Sequence, residues 1–390
     1  MAPSFRIDPY PALHKLRDAE PRHISPTFGV VLTTYDDVNA GLKHPDLGAG
    51  RRFVEAQWRA TFSGPALDYM LGRLHHHDPP EHTALRAIAS RKFTPKRVEG
   101  LRPWIENLAE RLLDASDPDE PWDVLAGLGH PLPSLVISEL LGIPLADRHL
   151  FDEWMPSIAH LVAYLIDASM SSPELLTKGS RAVAEAWAYV DQMVDERTDH
   201  SGDGMFDALV AAQANGLARH DLVAFTLFLF SAGHQTTRDS LGMGLLGLAR
   251  HPDQWRLLVD NPALAGDAAL ECLRYDATVP MVPRRALRET HLFDLDLAPG
   301  DIVTCLIAAG NRDPARFAEP DAFRLGRPNN QPLTFGAGIH YCLGAPLARV
   351  ELEIFLRTLA RRYPTLRVAA EPSWRDSLIF RGPNELYITT

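Results

Sequence analysis

Apolar residues recur at three- and four-residue spacing through most of the chain. This period predicts helices near 97–114, 145–168, 178–197, 206–215, 219–250, 252–258, 263–276 and 344–362. Strand-like stretches are few and short, at 30–34, 302–307, 378–380 and 386–389. Pro299-Gly300-Asp301 forms a turn that feeds the second of these. Prolines gather in connections such as Asp78-Pro79-Pro80 and Asp313-Pro314, and residues 200–204 read as a flexible loop. There is no internal repeat, low-complexity tract or dividing linker. The expected class is mainly α with small β-sheets (α+β), in one domain over 1–390.

Composition narrows the function. With 390 residues the chain can bury a large core, and 46% hydrophobic with 23% charged residues is ordinary for a soluble globular protein. A net charge of −11 gives a nucleic-acid partner no electrostatic support. Three cysteines make no disulfide framework, so a reducing, cytoplasmic setting is expected. The opening residues lack a signal-peptide core, and the most apolar long stretch, 222–248, is interrupted by His234, Gln235, Arg238 and Asp239.

Four stretches carry candidate chemistry. The loop 335–344 reads Phe-Gly-Ala-Gly-Ile-His-Tyr-Cys-Leu-Gly. Its glycines, Gly344 among them, permit sharp turns and close approach to a flat partner. Cys342 falls just before a predicted helix, where exposed amides favour thiolate over thiol. That suits a metal ligand or nucleophile; a buried free cysteine in a tight loop is the alternative. Glu271 and Arg274, three apart on a helix, can pair, as surface ions commonly do. Ala232, Gly233, Gln235 and Thr236 interrupt an otherwise apolar helix. A mid-helix glycine costs about 1 kcal/mol. A ligand against Ala232 and Gly233, with the helix opening to water near Thr236, would account for it; a locally bent helix with a satisfied polar cluster is the alternative. Finally, Glu81 follows Pro80 as a helix start, which puts His82 and Arg86 on one face as a fork for an anion or as ordinary surface charges. The run His75-His76-His77 is no metal site by spacing, because consecutive side chains diverge.

Together these stretches resemble the cytochrome P450 family of haem-thiolate monooxygenases, from about residue 5 to the C-terminus. Asn311-Arg312-Asp313-Pro314 adds a further match in the family's order. The resemblance implies a triangular helical prism, with haem between the long central helix and the cysteine loop. It also implies a small β-rich region from about 20–60, 280–325 and 376–390. Cys342 would be the axial ligand of haem b (iron protoporphyrin IX), its thiolate pushing electron density toward iron. His82, Arg86, Arg284 and His340 would hold the propionates, with Arg285 a close rival to Arg284. Phe335 would shield the sulfur. Glu271 and Arg274 would form a structural ion-pair network, completed by Arg324 or Arg327. Thr236 would stand beside the oxygen site. The soluble bacterial branch implies O2 as co-substrate. Its electrons come from NAD(P)H through ferredoxin reductase and ferredoxin, which could dock on Arg91, Lys92, Lys96 and Arg97. A monomer is expected.

One departure stands out. The family usually has an acid before the threonine, and this chain has Gln235, whose amide orients water but yields no proton. Waters, Asp239 or the substrate would then deliver the proton. Expected pocket walls at 62–70, 158–168, 228–236, 279–282 and 378–380 are mostly apolar, so they fit a hydrophobic substrate or simply core packing. Hydroxylation or epoxidation in specialised metabolism is the expected reaction. Rivals are peroxide-driven oxidation or oxidative coupling on the same fold, a non-catalytic haem carrier, and more distantly a thiol hydrolase using Cys342 and His340.

Overall fold

The computed structural model describes residues 3–115, 121–164, 172–197, 204–377 and 379–390. Every predicted helix is present, with ends displaced by a few residues: Pro95–Asp114, Arg148–Tyr164, Pro173–Glu196, Met205–Ala212, Arg219–Ala249, Pro252–Asp260, Ala265–Tyr275 and Ala345–Arg362. Residues 165–168 and, apart from Gly204, the predicted loop at 200–204 lie outside the described residues. Helices at Tyr10–Ala19, Tyr35–Lys43, Gly64–Gly72 and Pro131–Leu141 were not foreseen. The last is buried almost all round, so it lacks the polar face on which a helical period is read. Residues 379–380 form no strand. No described helix is long and apolar enough to cross a membrane.

The chain resolves into two compact units. The larger comprises Met1–Gly48, Pro95–Pro133 and Gln235–Thr390. Its main sheet runs in the order Arg22–Ser25, Gly29–Leu32, Ile302–Cys305, Val282–Ala286, Leu47–Gly48. Gly29–Leu32 and Ile302–Cys305 pair parallel and the other neighbours antiparallel. Beneath it Leu32, Val38, Leu42, Leu292 and Val303 make a core. The helix Ala345–Arg362 packs on Pro95–Asp114 and Ala265–Tyr275, burying Leu352, Ile354, Phe355 and Leu359.

On that helix Glu351 is only 2% exposed, and its Oε2 has no hydrogen-bond partner among the described residues. Burial pushes its carboxyl up to about 8. The folded pKa then lies above the unfolded one. The stability it carries is complete below the unfolded value near 4.5 and is lost as pH rises through about 8. Glu351→Gln is therefore expected to raise the thermal midpoint, and the gain should grow between mildly acidic and mildly alkaline pH by up to roughly 1.4 kcal/mol per unit. Thermal unfolding of both proteins across that window checks it; a gain that does not vary with pH would contradict it.

The smaller unit comprises Ala49–Thr94 and Ser134–His234. Its backbone is the pair Arg148–Tyr164 and Pro173–Glu196, the second capped by Ser172, which accepts from the Leu175 N–H. Any side chain at Gly179 would meet the Ser157 carbonyl at 2.7 Å, so glycine allows these two helices their close approach. The 31-residue helix Arg219–Ala249 contributes to both units.

Candidate active site

The larger unit carries Cys342, Phe335, His340, Gly344, Arg284, Gln235 and Thr236, and the smaller carries His82, Arg86, Ala232 and Gly233. In the cysteine loop the Cys342 N–H donates to the Phe335 carbonyl at 2.8 Å, and the Tyr341 N–H to Gly338 at 3.1 Å. Gly336 and Gly338 have φ of 71° and 70°, which glycine alone adopts readily. A Cβ on Gly338 would lie 2.7 Å from the Leu42 carbonyl oxygen, so this glycine also lets the loop seat on the helix Tyr35–Lys43. The loop delivers Cys342 three residues ahead of Ala345–Arg362, whose first turn no side chain caps. Its thiol is exposed, whereas Cys272 and Cys305 are buried and burial raises the pKa of both. Phe335 is half-buried with the Arg349 guanidinium 5.3 Å from its ring centroid.

Strand alternation separates the two rival arginines. Arg284 is 8% exposed and donates to the Pro283 carbonyl. Arg285 points to the other face and donates to the Gly300 carbonyl at 2.8 Å. His340 ends a short turn at Gly338–His340 and is half-buried. In the smaller unit, His82 and Arg86 share a face of Glu81–Ser90, His82 buried and Arg86 half-exposed. His76 donates from Nδ1–H to the Met70 carbonyl at 2.8 Å, and burial lowers the pKa of both His76 and His77, so neither is poised as a cation.

The long helix is buried at 222–230 and again at 241–248, but Ser231, Ala232, Gly233, Gln235 and Thr236 between them are partly exposed. The helix itself stays continuous from Arg219 to Ala249 through this partly exposed stretch. Gly233 has a packing role besides, since a Cβ there would press on Ile137 at 3.1 Å. Thr236 has its carbonyl taken by the Ser240 hydroxyl at 2.8 Å, and that hydroxyl also meets Thr278 at 2.9 Å. The Gln235 amide donates to Asp239 at 2.9 Å.

Glu271 and Arg274 are no surface pair: both are 0% exposed and joined by two hydrogen bonds of 2.8 Å. Arg327 completes the network, its Nε 3.2 Å from Glu271 Oε1. The Arg324 side chain turns instead to exposed Glu319, although its backbone N–H does reach Glu271. The network sits under the approach to the cysteine loop. Asn311 binds the Leu333 N–H and the Thr334 hydroxyl, and Thr334 in turn donates to the Leu273 carbonyl. Sequence reasoning missed an apolar cavity of about 290 Å³ lined by Phe5, Leu13, Phe28, Met281 and Trp374, because its walls come from separate segments without a shared period.

These residues fit a haem. The exposed Cys342 thiol stands before an uncapped helix, and a Cβ on Gly344 would meet nothing within 4 Å, which leaves room for a flat group. Comparison with known proteins agrees. The family model for Cytochrome P450 matches residues 23–258 and 267–377. Cytochrome P450 CYP107DY1 of Priestia megaterium is 36% identical over 87% of this chain and 84% of its own length. Polyketide biosynthesis cytochrome P450 PksS of Bacillus subtilis is 32% identical over 99% of this chain and 96% of its own. The crystal structure of CalO2 superposes with a TM-score of 0.93 at 29% identity, covering all of this chain and 97% of that one. A thiol-bearing glycine loop, a long helix with a partly exposed polar centre and a buried Glu-Arg-Arg network, matched over nearly the whole length, make this chain a member of the cytochrome P450 family.

Proposed function

We propose that this monooxygenase hydroxylates or epoxidises a hydrophobic small molecule of polyketide or macrolide type, with O2 and two electrons from NAD(P)H passed through ferredoxin reductase and ferredoxin. The observation that carries the reading is the exposed Cys342 thiol presented ahead of a helix N-terminus. Haem b supplies the redox chemistry when bound. In this reading Cys342 would hold its iron, and Phe335 would limit water at the sulfur. Within the larger unit Arg284 and His340 would answer the propionate charges.

The substrate class draws support from the relative named for polyketide biosynthesis and from apolar side chains in the expected wall segments. In the smaller unit these are Phe62, Ala66, Met70, Ile158 and Leu161, all buried. Tyr69 and Ser231 add a hydroxyl pair at 2.8 Å that can orient a polar group of a ligand. Thr236 is the residue from which a hydroxyl can pass a proton at the oxygen site. Exposed Arg91 in the smaller unit and exposed Lys96 in the larger each offer positive charge to an acidic ferredoxin.

The test sets reductant against peroxide. With ferredoxin, its reductase, NADPH and air, oxygenated product is expected at a rate at least an order of magnitude above that with hydrogen peroxide alone. The reverse order would favour the peroxide-driven alternative. Macrolactones that shift the haem absorbance on binding are the substrates to use.

A further inference from the structure

Gln235 stands where the family usually places an acid, and the structure holds a carboxylate one helical turn further on. Asp239 has a side chain that is 0% exposed. Its Oδ1 takes three donors: Gln235 Nε2 at 2.9 Å, Arg238 at 2.8 Å and Arg375 at 3.1 Å. Its Oδ2 is buried with no hydrogen-bond partner among the described residues. The carboxylate is closely housed. A Cβ on Gly382 would lie 2.6 Å from Asp239 Cγ, so only glycine lets that backbone pass. Arg238 is pinned by the carbonyls of Pro383 and Asn384, and the Arg375 N–H donates to the Gly382 carbonyl. All of these groups belong to the larger unit.

An ion pair serving only to staple Arg375 and residues 382–384 to the helix would be expected to engage both carboxylate oxygens. A buried oxygen left without a donor is costly and calls for an explanation in water or chemistry. Thr236 lies three residues before Asp239, a neighbouring position on the helix surface. We infer that Asp239 is the relocated proton-relay carboxyl of this enzyme, with Gln235 as the amide that positions it and Thr236 with water as the path from its free oxygen. The inference rests on the monooxygenase reading above. Asp239 acts through Thr236, and so is a positioning residue.

The balance is simple. Monooxygenation consumes two protons with its two electrons. Asp239 releases one proton to water and regains one from solvent, so its own charge is unchanged over a cycle. Burial raises the Asp239 pKa against the pull of Arg375, Arg238 and Gln235, and this keeps the protonated form accessible.

The experiment uses the haem-loaded enzyme with plant-type ferredoxin, its reductase and NADPH, and styrene as the probe. Four readouts are taken: epoxide per NADPH, peroxide per NADPH, the pH profile, and the infrared carboxylic C=O band of the resting protein during a pH titration. Asp239→Asn is expected to keep the thiolate spectrum, lower epoxide per NADPH at least tenfold and raise peroxide several-fold. It should also flatten the pH profile and remove one carboxylic band. The double variant Gln235→Glu with Asp239→Asn moves the carboxyl back one turn and is expected to recover most of the coupling. Should Asp239→Asn fail to fold, the double variant decides alone: wild-type-like coupling supports the relay, and lost coupling with an intact thiolate spectrum overturns it. A folded Asp239→Asn protein with unchanged coupling and pH profile also overturns it. Absence of NADPH-driven oxidation in the wild-type protein would instead count against the monooxygenase reading.

Discussion

Cys342→Ser should fold and lose monooxygenase turnover to below detection. The side chain is exposed, and the bond that shapes the loop here is the backbone N–H to Phe335, which serine retains. Circular dichroism and the thermal midpoint should therefore change little. A serine hydroxyl is a far weaker donor to iron than a thiolate, so the electron push that favours O–O cleavage goes with the sulfur. The measurement is absorbance of the reduced carbon-monoxide complex. The wild-type protein should absorb as thiolate-ligated haem and the variant should not. If the serine protein kept the thiolate band, Cys342 would not be the ligand and the roles assigned around it would fail.

The largest stability loss is expected at Glu271. All five Arg274 N–H groups are used: two on Glu271, two on the carbonyls of Asn311 and Pro320, and one on Ala322. Glu271 also accepts from Arg327, the Arg324 N–H and the Asn330 amide. Glu271→Ala leaves two buried guanidiniums, 0% and 3% exposed, without their carboxylate. Stranding buried charge in this way costs about 3–5 kcal/mol, a large share of the roughly 5–15 kcal/mol by which folded proteins are stable. Urea unfolding measures it. Arg324→Ala is the contrast. Its ion pair with Glu319 is 51% and 65% exposed, so a change within about 0.5 kcal/mol is expected. Because Asn311 and Thr334 tie the network to the approach of the cysteine loop, Glu271→Ala should also weaken haem retention. Equal losses for the two variants would contradict the assignment of Arg327 over Arg324.

Much of the architecture was legible because it is local. Helices such as Pro173–Glu196 and Ala265–Tyr275 bury one face, and their apolar spacing says so directly. The cysteine loop was legible for a different reason, since glycines, a cysteine and a following helix are consecutive. The misses share a cause too. Pro131–Leu141 is buried on nearly every side and carries no contrast between faces. The packing of Gly233 on Ile137 was not legible either, because the partner lies almost a hundred residues away in sequence.

The chain's own order of residues determined the helical class, the thiol before a helix N-terminus, the polar centre of the long helix and the missing acid at Gln235. Each is a property of neighbours within a few turns. Tertiary structure alone decided which arginine meets Glu271, which of Arg284 and Arg285 turns inward, and that Asp239 lies buried between Arg238 and Arg375. Those outcomes depend on groups brought together over separations of up to 136 residues. Charge and hydrophobic period state what a side chain requires, and only packing selects the partner that meets the requirement.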